Sequence, residues 1–188
     1  MRQLAADGLI QATIGRGSFV TPTPLGESPN TLMSFTELGA ARGLVATATV
    51  LLAEVRPADL SEADAFAIAP GAEIFELERV RHLDAVPVAV DHARIPLNQA
   101  PSLPEHDFSV TSLYSVLDRH GVAPIRANYS VQATAADEEK ARHLDMEVGE
   151  PLLVATTTAF DPSGQLIELT TMSYRGDRYR FQASLSRR

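Results

Sequence analysis

Through residues 75–84, FELERVRHLD, apolar and polar positions alternate with period two. Successive side chains of a strand point to opposite faces. Phe75, Leu77, Arg79, Arg81 and Leu83 therefore share one side, and Glu76, Glu78, Val80 and His82 the other. The pattern predicts a strand over 73–83 and a partner over 87–95, joined by the short turn DAVP. Further strands are predicted over 44–55, 125–134, 151–160 and 165–175. The last two flank Asp161-Pro162-Ser163-Gly164, a strong turn signal. Elsewhere the spacing is helical. Thr36 is read as the cap of a short helix ending at Gly43. Ser61 with Asp64 resembles a capping box opening a helix to about Ile68, which Pro70-Gly71 breaks. Ser109–His120 suits a helix, with Leu113, Val116, Leu117 and His120 on one side and Gly121 as its stop. Asp137–Met146 is another, with Ala141 and Leu144 inward. Strands joined by short turns are antiparallel. The expected fold class is therefore α+β: a mostly antiparallel sheet of about six strands with packed helices.

The stretch before this body is organised differently. TPTPLGESPNT, residues 21–31, holds three prolines and a glycine and reads as a linker, taken as 23–31. Ahead of it, 2–10 suits the end of a helix, and short runs around Gly15-Arg16-Gly17 suit a tight hairpin. One helix end and one hairpin bury too little apolar surface to offset their chain entropy. Residues 1–22 are thus expected to be a remnant of a larger unit, and 32–188 the folded body.

Composition narrows the class. Of 188 residues, 45% are hydrophobic and 21% charged, as in ordinary globular proteins. No run is apolar enough for a membrane span. The start, MRQLAADGLIQ, carries charge and glutamine where a secretory signal needs an apolar core. Without cysteine, disulfides and thiolate metal sites are excluded, which fits a cytoplasmic location. The net charge is −8, yet residues 1–22 carry +1, so the remainder carries −9 by difference. Only that short head has a charge suited to nucleic acid.

The candidate chemistry lies on inward faces. A guanidinium cannot be neutralised, and burying it unpaired is costly. Arg79 and Arg81, about 7 Å apart at their Cα atoms, suit a phosphate or carboxylate held between them. Asp91 shares a side with Ala89, Ala93 and Ile95 on the paired strand. Glu168 shares a side with Leu166, Thr170, Met172 and Tyr174. These carboxylates suit a ligand's hydroxyls or an amine. Alternatively they simply pair with the two arginines. Ser112, near a helix start where N–H groups attract anions, and Tyr114 join the candidates, although they could merely cap and pack. None of the five histidines (82, 92, 106, 120 and 143) forms a convincing metal pair. No nucleophile elbow, phosphate loop or HExxH motif is present. No catalytic residue, cofactor or metal is assigned, although Asp91 and Glu168 could serve as an acid–base pair.

Four segments carry a family resemblance: SFTELGAARG (34–43), IFELERVRHLDAVPVAVDHARIP (74–96), SLYSVLDRHGV (112–122) and LIELTTMSYRGDRYRF (166–181). In this order they resemble the UTRA effector-binding domain of GntR-type transcription regulators of the HutC subgroup. RQLAADGLIQATIGRGSFVTP in turn resembles the end of a winged helix-turn-helix: the tail of its recognition helix, then the wing. The resemblance implies a chorismate-lyase-like fold and a homodimer. It implies a regulator, most simply a repressor, in which a sugar phosphate or small carboxylate allosterically controls operator binding. It places the effector's anion near Arg79, Arg81, Ser112 and the backbone around Ser34, Phe35 and Thr36, with Asp91, Glu168 and Tyr174 facing the rest. Tyr114 belongs to the same Ser-Leu-Tyr helix start. Many relatives have glutamate where Asp91 stands. Arg2, Gly15, Arg16 and Gly17 would touch DNA, the Gly-Arg-Gly tip in the minor groove. Family members carry two further helices and most of a third ahead of the position of Met1. On that reading this chain reads an operator only together with that part. The alternatives are a headless ligand-binding dimer and a lyase-like enzyme.

Overall fold

The computed structural model describes residues 32–182, together with the backbone of the short strands β1 (Ile10–Thr13), β2 (Gly17–Val20) and β3 (Leu25–Glu27). Next come α1 (Phe35–Ala40), β4 (Ala46–Pro57), α2 (Leu60–Phe66), β5 (Glu73–Leu83) and β6 (Val86–Pro96). Two 3-10 turns, Leu97–Gln99 and Leu103–Glu105, lead to α3 (Leu113–Arg119). The chain continues through β7 (Arg126–Ala135), α4 (Glu138–His143), β8 (Pro151–Phe160), β9 (Leu166–Arg175) and β10 (Tyr179–Phe181). β4 to β9 form one six-stranded sheet in the order β4-β5-β6-β9-β8-β7, antiparallel at every step. The expected α+β class is the class observed. Among the described residues no helix is long and apolar enough to cross a membrane.

Alternation decides which side of the sheet each residue serves. Phe75 and Leu77 of β5 join Ala93, Ile95, Phe108 and the α3 residues Leu113, Val116 and Leu117 in one buried cluster. Further along the same face, Leu83, Ala89, Ala155 and Tyr174 pack with Phe35 and Leu38 of α1. On the opposite face Val80 and Val90 meet Ala141 and Leu144 beside α4, and Ile74 meets Ala63 and Phe66 of α2. The sheet is thus covered on both sides, and burial of these side chains is the main stabilising term.

Several boundaries differ from the sequence expectation. The cap of α1 is Ser34, not Thr36: its hydroxyl accepts from the Glu37 amide, and the Glu37 carboxylate accepts from the Ser34 amide. α2 is capped by Asp59 with Glu62, not by Ser61 with Asp64. α3 begins at Leu113 because residues 107–111 are spent on a turn in which Asp107 O accepts from Val110 and Thr111. α4 ends at His143, and the chain then turns through left-handed Asp145 (φ 51°). The β5–β6 hairpin turns on Asp84 and Ala85, both at positive φ (48° and 66°), the geometry that matches strand twist.

Within the predicted linker, Leu25–Glu27 forms a strand that pairs in parallel with Tyr179–Phe181. Backbone amides of a polar, proline-rich stretch can still serve a ladder, so composition alone did not reveal this tie. β1 and β2 pair antiparallel, Thr13 opposite Gly17, where the hairpin was expected. Ile10, expected in the helix end, belongs to β1. The rest of that helix end, with Arg2, Gly15 and Arg16, lies outside the described residues; Gly17 opens β2.

Candidate anion-binding site

The ten candidate binding residues converge. Arg79 and Arg81 come from β5, Asp91 from β6, and Glu168 and Tyr174 from β9. Ser34, Phe35 and Thr36 come from the start of α1, and Ser112 and Tyr114 from the start of α3. All line one cavity of about 80 Å³. That is several times the space one water needs, so a real hollow adjoins the arginines.

The two arginines differ in their partners. Asp91 stands directly opposite Arg79 in the β5–β6 register. Arg79 Nε and Nη2 donate to its two carboxylate oxygens at 3.1 and 2.5 Å. Both residues are buried, at 3% and 2% exposure. For this pair the salt-bridge alternative is what the structure shows. Arg81 is as deeply buried, yet no carboxylate lies within ion-pair distance of it among the described residues. Its Nε has no hydrogen-bond partner, and its guanidinium stacks on the Phe35 ring, 4.5 Å from the centroid. Burial, then the charge of Arg79, pushes its pKa down to about 10. It remains a cation at neutral pH. A β-bulge sits beside it: Arg81 faces Ala89 but His82 faces Pro87, leaving Val88 over to pack with the α1 cluster.

Glu168 is the fourth ionisable group. Burial pushes its carboxyl up, the hydroxyls of Thr170 and Tyr114 pull the other way, and the charge of Asp91 raises it again. Its Oε2 has no hydrogen-bond partner. Within the cavity Arg79 is engaged by Asp91, burial pushes the Glu168 carboxyl up, and Arg81 has no carboxylate within ion-pair distance among the described residues. Chemically, such a hollow favours a small anion at Arg81, with neutral donors and acceptors around its remaining atoms.

The other predicted residues divide. Ser34 is occupied with α1, its hydroxyl donating to Glu37 at 2.8 Å. Ser112 stands at the cap position of α3 but makes no side-chain capping bond, so capping does not use its hydroxyl. Tyr174 stacks on Tyr179 with centroids 3.8 Å apart. Sequence reasoning missed Tyr129, Ala155 and Thr157, which complete the wall from β7 and β8. Tyr129 shares a side with Val131 and was findable by the same period-two reading. Ala155 and Thr157 lie in a run of small residues that carries no chemical signal.

Comparison with known proteins gives one consistent picture. Residues 41–180 match the family model described as the UTRA domain. The HTH-type transcriptional repressor NagR of Bacillus subtilis (strain 168) is 32% identical over 184 residues, spanning 96% of this chain and 74% of the relative. A probable fructoselysine utilization operon transcriptional repressor of Escherichia coli (strain K12) is 27% identical, over 93% of this chain and 72% of the relative. Among solved structures, PhnF from Mycobacterium smegmatis superposes with a TM-score of 0.86 at 27% identity, covering all of this chain and 82% of that one.

Proposed function

The chain belongs to the UTRA domain family, and from that premise we propose that it is the effector-sensing part of a DNA-binding transcriptional repressor, responsive to a small anion held at Arg81. The relatives are named as repressors, two of them as HTH-type, which supports a regulatory and non-enzymatic role. The engagement of Asp91 by Arg79 also argues against a free carboxylate pair for acid–base work. The observation that carries the reading is Arg81: 4% exposed, without a carboxylate partner among the described residues, and facing a hollow. A buried unpaired cation is costly to the protein. A phosphate or carboxylate between Arg81 and the start of α1 relieves that cost, and this supports a sugar phosphate or small carboxylate as the class of effector. Relatives are named for fructoselysine, histidine and mannosyl-D-glycerate, so the class and not the compound is proposed.

Binding would shift a population rather than build a new fold. Phe35, which covers Arg81, opens α1, and α1 follows the segment tied to β10. The β1–β2 hairpin precedes that segment, as the wing of a helix-turn-helix would. Such a regulator works in the cytoplasm as a homodimer.

Calorimetric titration of inorganic phosphate and hexose 6-phosphates into the chain and its Arg81→Gln variant tests the site. The variant is expected to lose about 2–5 kcal/mol of binding while folding as stably as the parent or more so, because an unpaired buried charge has gone. Equal affinity in parent and variant removes the assignment.

A further inference from the structure

Although the sequence pairs no histidines convincingly, the fold brings two of them to one atom. His106 closes the 3-10 turn Leu103–Glu105, and His120 caps the end of α3. Both Nε2 atoms reach the Ser102 hydroxyl, His120 at 2.7 Å and His106 at 3.4 Å. The His106 ring stands edge-on to buried Phe108, with centroids 6.2 Å apart and planes at 71°, so its direction is set by packing. His120 is exposed and His106 half-buried, which leaves solvent access to the point where they meet. The serine oxygen can donate its proton to one nitrogen and accept an N–H from the other, so both rings aim at one place. A divalent cation displacing the hydroxyl from that place meets both nitrogens.

We propose that His106 and His120 form a two-imidazole site for a borderline transition-metal cation of the Zn²⁺ class. Imidazole nitrogen suits Zn²⁺, Cu²⁺ and Ni²⁺, while thiolates are absent from this chain. Among the described residues no group of three or more His, Asp or Glu side chains is placed to hold a metal ion, so water completes the coordination shell. The site is separate from the cavity but mechanically close to it. It clips the 103–105 turn to one end of α3, whose other end carries Ser112 and Tyr114 into the cavity wall. It also steadies Phe108, whose ring lies 5.8 Å from the Arg79 guanidinium. Metal occupancy therefore stiffens the wall that holds the anion.

The test is calorimetric titration of Zn²⁺ into the tag-free chain at neutral pH. One saturable binding event per chain is expected. His106→Ala and His120→Ala should each weaken it beyond the roughly 10–100-fold that loss of an outer partner costs, and Ser102→Ala should leave it in place. His82, His92 and His143 remain in every variant, so binding that persists in the His106→Ala/His120→Ala double variant overturns the proposal, as does a parent that binds no Zn²⁺. In the unmutated chain, Zn²⁺ should shift the side-chain NMR signals of two of the five histidines and leave three unmoved. A different pattern overturns the assignment without reference to any variant.

Discussion

Arg79 and Arg81 stand two positions apart on one strand, share one face, and have different surroundings. Arg79 meets Asp91 because the β5–β6 register sets them opposite each other; Arg81 meets Ala89 and an aromatic ring. Their common direction was legible from alternation. Which of them a carboxylate neutralises was not, because that depends on how many residues the hairpin turn and the bulge consume. Glu168 shows the same limit: its inward direction is local, while its shifted acidity comes from burial by other elements. Because its folded-state pKa lies above the ordinary 4.5, its contribution to stability is fully present below 4.5 and is lost as pH rises through the folded value. Glu168→Gln replaces the ionisable carboxyl with a neutral amide of the same shape. Urea unfolding over a range of pH is expected to show the variant gaining on the parent as pH climbs above 4.5. A constant difference across that range would contradict a raised Glu168.

The helices were found more securely than their ends. Both α1 and α2 open on a capping box, and near each the sequence offers more than one residue able to serve as cap. For α2 the choice follows from what the helix must face. Capping by Asp59 turns Glu62 onto the sheet, where Arg56 Nη1 and Nη2 each donate to it at 2.7 Å. Arg56 also bonds Glu76. These bonds hold Glu62 down to about 2 in spite of its burial. A depressed folded-state pKa gives stability that is present above 4.5 and lost as pH falls toward 2. Glu62→Ala should cost about 3 kcal/mol at neutral pH, since it leaves Arg56 without its main partner. In chemical denaturation that loss is expected to shrink as pH falls below 4.5. The tie between β3 and β10 was the one pairing that composition concealed: a proline-rich stretch reads as free chain, yet three of its residues serve a parallel ladder.

Across the whole molecule, the six-stranded sheet ends in two edges, β4 on one side and β7 on the other. β4 is long, at 12 residues, and carries exposed Val55. Sheet edges invite pairing unless something covers them, and part of β4 is covered within the chain, where Ala48 N donates to Ser109 O; the proposed homodimer is tested by the mass of the assembly. Sedimentation equilibrium is expected to return twice the chain mass of 20.3 kDa; a monomer at every concentration would rule that out. The net charge of −8 does not contradict an anion at the centre. Charges at the surface are screened within about 8–10 Å at ordinary salt, whereas Arg81 acts from a buried position. Side-chain alternation and helical spacing are properties of single segments, and they were enough to name the α+β class, the approximate elements, and the inward direction of Arg79, Arg81, Asp91 and Glu168. Pairing is a property of segments far apart. The order that sets β9 beside β6, the register that joins Arg79 to Asp91, and the packing of α1 and α3 that closes a hollow over Arg81 all arise from contacts between distant parts of the chain. Folding into three dimensions selected among arrangements that local pattern leaves equal, and it left Arg81 buried without a carboxylate counter-charge among the described residues.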